Sequence, residues 1–372
     1  MNISLRKNKD LMSKLINLTS IKYIYHFLCD LFLEPINNNE LICQILLFLM
    51  NLLEDNPFIQ LIYYKHDIFD LLYDFILKNK DSEDLKERNI NHHIITFFSL
   101  YIAVVFDENE ETYITDKEMI INKLYNLFEY FLTHNYDNKD LLLDVVWGLS
   151  NLLIQLNDKD TFIDILIKKY FDNIIDQLFI LIKLNTDFVV PIFRVIGNLT
   201  SLKDNYCQLF FKDPWASYIL ELLTKEMILP KYKILIIWII HNICAGTNFE
   251  CLKKYNMNEI LINALKNEKN SEVLFHLLKL IYGIINNSKE NFWSDELVDG
   301  IIMIIKKDIN LKINFVCCFL CEKIFDGKFQ KYIDKLNENG FKEILENWSI
   351  SDNNEIKTSA NYILDNYYNN KV

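Results

Sequence analysis

Turn residues are scarce in this chain: 7 glycines and 5 prolines serve 372 residues. Sheet-rich domains need a turn signal every ten or so positions, so the shortage excludes them and favours helices joined by short polar turns. Long hydrophobic runs are also missing. The run 234–240 falls far short of the roughly 18 residues of a membrane span. At the start, Asp10, Ser13 and Lys14 interrupt any apolar stretch, so no secretory signal is read there. Positive charge is in deficit, with a net charge of −12. That disfavours nucleic acid as the main partner and suits a basic one if the acid is gathered on one surface; a generally solvated acidic surface is the other reading. A soluble, intracellular protein of cytoplasm and nucleus is expected, with no nucleic acid or membrane partner.

The familiar chemical signatures are absent as well. No Gly-rich phosphate loop, GxSxG or HExxH occurs, and a metal role for His92-His93 would need distant carboxylates. Cys317, Cys318 and Cys321 cluster without a second pair at zinc spacing, so buried reduced thiols are expected. No enzyme activity, cofactor or metal is expected.

Half of the composition, 51%, is hydrophobic. It falls in apolar runs separated by short polar clusters at 35–40, 134–138 and 267–270, and by an acidic loop, DENEET, at 107–112. The runs repeat. DVVWGLSN (144–151), PIFRVIGN (191–198), IIWIIHN (236–242) and IYGIIN (281–286) each end in Asn, at spacings of 47, 44 and 44 residues. LFLMN (47–51) is a weaker copy, and 94–106 a degenerate one. Armadillo and HEAT repeats have periods of about 40–47 residues. The expected fold is therefore all-α: a right-handed armadillo-repeat superhelical solenoid of roughly seven to nine repeats. It spans 1–372 as one domain, with degenerate repeats over 1–139 and clearer ones, including a closing repeat, over 140–372.

Four positions before each Asn stands a large residue: Trp147 before Asn151, Arg194 before Asn198, Trp238 before Asn242, Tyr282 before Asn286. Residues i and i+4 share a helical face, so stacked repeats build a ladder. Aromatic rings at helical spacing also suit a core. A repeated buried Asn, however, needs a repeated partner, and an Asn facing a groove could hold the main chain of an extended peptide through its donor and acceptor. Spaces between Trp faces accept Lys or Arg stems.

The runs VVPIFRVIGNLT (189–200), WIIHNICAGT (238–247) and DVVWGLSNL (144–152) resemble the sixth, seventh and fifth repeats of importin alpha, the nuclear import adaptor family. The segment 340–360 is similar to that family's closing repeat. The resemblance implies a concave groove that binds Lys/Arg-rich nuclear localisation signals of cargo proteins at a major and a minor site. It implies a minor site of Arg194, Asn198, Trp238, Asn242, Tyr282 and Asn286, with Asp204 contacting a basic side chain. For the major site it implies Asn51 and Asp55, with Asp144 as a further groove acid beside Trp147 and Asn151. Importin beta and a nuclear exporter are the implied protein partners. The chain departs from the family pattern: Leu47 and Tyr282 replace Trp, and Lys279 stands where a groove Glu is expected. The basic N-terminal segment is not recognisable, with only Arg6, Lys7 and Lys9 near the start, and the chain reads as beginning within the second repeat. A scaffold that binds some other extended segment is the alternative. A HEAT-type regulatory subunit is a third reading, against which the Asn ladder counts.

Overall fold

The computed structural model describes residues 18–55, 63, 67–103, 114–134, 137–156, 164, 167–168, 172–202, 204–207, 213–225, 228–245, 255–287 and 292–369. Among them there is no strand. The chain divides into two compact units, Met1–Asn198 and Leu199–Val372.

In the first unit each stacking helix, here called long, follows a supporting one: α1 Leu18–Leu31 and α2 Pro35–Asp55, α3 Ile68–Asn79 and α4 Leu85–Ala103, α5 Ile114–Thr133 and α6 Lys139–Ile154, although α5 at 20 residues exceeds α6 at 16. Then come α7 Asp172–Leu184, a 3₁₀ turn Thr186–Phe188, and α8 Val189–Leu202, which runs across the unit boundary. Long helix stacks on long helix, α2 on α4 and α4 on α6, and each packs on its own supporting helix. The second unit repeats the plan: a single turn α9 Asp204–Cys207, then α10 Trp215–Thr224, α11 Pro230–Ala245, α12 Met257–Asn267, α13 Ser271–Asn287, α14 Asp295–Lys307 and α15 Leu311–Asp326. It closes with α16 Gln330–Glu338, α17 Phe341–Ser349 and α18 Asn354–Ile363. Here α11 stacks on α13, α13 on α15 and α15 on α18. This is an all-α solenoid of armadillo-like repeats, as the periodicity implies.

The long helices start where they do because a side chain caps their free N–H groups. Asn138 accepts from Asp140 and Leu141, Asn270 from Glu272 and Val273, Asn310 from Ile313, and Asn353 from Glu355 and Ile356. Asp84 does the same for α4. Helix α14 adds charge to its Ser294 cap: Asp295 and Glu296 lie in its first turn, Lys306 and Lys307 in its last, opposing the macrodipole at both ends.

No single repeat can bury its own apolar stripes, so each long helix carries buried residues toward both neighbours. In the first unit Phe69, Phe97, Phe98 and Phe128 are fully buried. In the second, Ile240, Leu277, Ile281 and Ile356 are, together with Cys317, Cys318 and Cys321. Burial pushes the Cys318 thiol up to about 12 and raises those of Cys317 and Cys321 as well, so all three sit in the core as small apolar side chains. By length and composition, Pro35–Leu53 is the one helix among the described residues that could cross a membrane. Ile42, Leu46, Leu49 and Leu53 along it are buried, as in a core helix.

Candidate binding face on the long helices

The ladder has a structural register. Trp147 is the ninth residue of α6 and Asn151 the thirteenth; Trp238 and Asn242 hold the same places in α11. Counting from Thr186, where the helical turn leading into α8 begins, Arg194 is ninth and Asn198 thirteenth. All of these side chains are half-buried except Arg194, which is exposed. Spacing on the Asn alone carried this register as far as Asn242. In α13 the two places fall on Lys279 and Gly283, and Tyr282 and Asn286 stand one turn further along. The reason is a shorter repeat: α11 and α13 begin 41 residues apart, at Pro230 and Ser271, while Asn242 and Asn286 are 44 apart. In α15 the places hold Phe319 and Lys323. Asn51 is exposed on α2, four residues beyond the thirteenth place, which holds Leu47. Asp55 and Asp204 lie in α2 and α9, but their side chains are outside the described residues.

In the first unit the rungs touch each other. The Arg194 guanidinium lies over the Trp147 ring, 5.5 Å from its centroid, which is cation–π distance. The Asn151 side chain donates to the Ser99 carbonyl on α4 at 3.1 Å. The Asn198 side chain donates to the Ser150 carbonyl on α6 at 2.9 Å and to its hydroxyl at 3.3 Å. Each Asn thus ties its helix to the main chain of the preceding repeat. Asp144 is also engaged across repeats: its Oδ2 lies 3.1 Å from His92 Nε2 and accepts from the Thr96 hydroxyl, both on α4. Sequence reasoning did not find His92, Thr96 or the two serines. Their signal is available only once helix starts fix which residues face each other across repeats.

In the second unit, His241 is exposed beside Gly283, where a Cβ would lie 3.7 Å from its Nε2. Lys279 is exposed, with its Nζ 5.5 Å from the Phe275 centroid. The Tyr282 and Phe319 rings are 5.9 Å apart, and Phe315 meets Phe319 edge-on at 4.5 Å. Below this face, Lys233 at the start of α11 donates to Glu268 at 2.7 Å, with both side chains 9% exposed. The other Glu268 oxygen accepts from the backbone of Lys269 and Asn270. Burial alone would raise the Glu268 carboxyl; the Lys233 contact and the two N–H donors outweigh it and hold the group below the ordinary value. Lys139 and Asp187 form the corresponding pair in the first unit, from the start of α6 to the turn before α8. No group of three or more His, Cys, Asp or Glu side chains that could hold a metal occurs among the described residues.

No family model matches the chain, and no curated protein matches it in sequence. Solved structures do. An engineered protein shares 14% identity at a TM-score of 0.58, covering 83% of this chain and 70% of its own. A designed armadillo repeat protein has a TM-score of 0.43 at 16% identity, over 78% of this chain and 97% of its own. Another, in complex with the peptide (KR)4, has a TM-score of 0.41 at 16% identity over the same shares. At such identities a likeness concerns the fold. The chain has an armadillo-like fold of stacked helical repeats.

Proposed function

We propose that this protein is a peptide-binding adaptor whose long-helix face takes extended Lys/Arg-rich segments, and that its cargo are proteins bearing nuclear localisation signals. The observation that carries this reading is the Arg194–Trp147 contact at 5.5 Å. A guanidinium lies over one ring of the ladder, and a peptide's Lys or Arg side chain would ask for the same kind of contact at Trp238. The net charge of −12 favours basic partners in the long range. Under this reading the protein works in cytoplasm and nucleus, acts by binding and not by chemistry, and meets importin beta and a nuclear exporter, as the importin alpha resemblance suggests.

One observation favours a second reading. Asn151, Asn198 and Asp144 all make contacts between repeats, so the ladder can also be a structural device in a scaffold that binds a different extended segment. The two readings separate in a titration of the full chain with a fluorescent Lys/Arg-rich nuclear localisation peptide beside an acidic scrambled control. Micromolar or tighter binding of the basic peptide alone supports the adaptor. A folded protein that ignores the basic peptide supports the scaffold.

A further inference from the structure

The ladder changes its chemistry along the second unit. Its ninth and thirteenth places read Trp238 and Asn242, then Lys279 and Gly283, then Phe319 and Lys323. Trp238 offers a flat aromatic surface to a cation. One and two repeats further on, the same face offers ammonium groups. Lys279 is exposed and Lys323 half-buried, and neither forms an ion pair among the described residues. Carboxylates near Lys323 have other partners: Asp326 accepts from the Tyr362 hydroxyl at 3.2 Å and the Tyr367 hydroxyl at 2.7 Å, and Glu322 accepts from Ser359 on the closing helix. Desolvation and the neighbouring Asp326 raise the Glu322 carboxyl above its ordinary value, against the opposing pull of Lys323.

We infer that the second unit's long-helix face recognises an extended peptide of mixed charge, with a Lys or Arg at Trp238 and acidic side chains at Lys279 and Lys323. The inference rests on the peptide-binding reading above and names the segment's chemistry. Packed helices lie about 8–10 Å apart, and an extended chain advances about 3.3 Å per residue. The first acidic residue therefore falls about two to three positions from the basic one, and the second the same distance beyond. A wholly basic peptide would place like charges against both lysines, which is a means of rejecting it at this end.

The test uses the full chain and two fluorescent peptides of equal length: one all Lys/Arg, one with a basic half followed by a Glu-containing half at that spacing. The expected result is tighter binding of the mixed peptide. In the double variant Lys279→Glu/Lys323→Glu the preference should invert, with the mixed peptide weakened about fivefold to tenfold and the basic one strengthened. Lys279→Gln/Lys323→Gln should fall between. Lys279 is exposed, but Lys323 is half-buried beside Glu322 and Asp326, so melting is measured for each variant, and the Lys279→Gln/Lys323→Gln variant, which adds no acid there, carries the test if the Glu variant melts lower. Equal binding of the two peptides, unmoved by the substitutions, overturns the mixed-charge inference and leaves the peptide-binding reading in place. Binding of neither peptide by the folded parent overturns both.

Discussion

At the scale of single residues, asparagine serves two ends in this chain. In the turns it caps long helices, as Asn138, Asn270, Asn310 and Asn353 do. Within the long helices it reaches back to the preceding repeat. Asn198→Ala strands the Ser150 carbonyl without that donor and should cost about 1–2 kcal/mol, read by urea denaturation; a loss near zero would mean that the rung is not a structural tie. The Lys233–Glu268 pair is a second point of tension. Lys233→Met leaves a nearly buried carboxylate without its cation and should destabilise by about 2–3 kcal/mol. The pH dependence has a definite sign. Because the folded-state value of Glu268 lies below its ordinary one, its contribution is present above the unfolded value and fades as pH falls through the folded value. The Lys233→Met penalty should therefore shrink in acid, and a penalty equal at neutral and acid pH would contradict that assignment. The Trp/Asn spacing was legible in the sequence because it recurs. The partners of Asp144 were not, because His92 and Thr96 belong to a repeat with no Trp or Asn to announce it.

At the scale of the element, the long helices are set by caps at one end and by close packing in the middle. Gly148 of α6 shows how close. A Cβ built there would come within 2.5 Å of the Phe128 ring on α5, and that ring is fully buried. Gly148→Ala must push a core aromatic aside and should cost about 1–3 kcal/mol despite the better helix propensity of alanine. Equal or greater stability of the variant would show that Phe128 relaxes freely. The helices themselves were readable from apolar runs and the scarcity of glycine and proline. The point at which α13 starts was not. Asn286 continues the Asn series at a plausible interval, whereas the ninth and thirteenth places carry Lys279 and Gly283, which look like nothing in the preceding rungs. Counted from the Asn270 cap, the ninth and thirteenth residues of α13 are Lys279 and Gly283.

At the scale of the whole molecule, helix stacks on helix within each unit, and the stability of such an array is approximately a sum of repeats and their nearest-neighbour contacts. The partly exposed face of the long helices then becomes a series of similar places, which suits an extended ligand better than a compact one. If basic side chains on that ligand meet half-buried Trp faces and an acidic chain, raising the salt from 50 to 500 mM should weaken binding severalfold through screening. Binding indifferent to salt would point to an apolar partner. The central claim is that the aromatic rungs touch the ligand. It is tested most directly by the affinity of Trp238→Ala for the Lys/Arg-rich peptide, measured with its melting temperature. The expected loss is about 1–3 kcal/mol in binding, with a melting temperature close to that of the parent, since Trp238 is only half-buried. An unchanged affinity, or a variant that no longer folds, would place Trp238 in the core and remove it from the binding face.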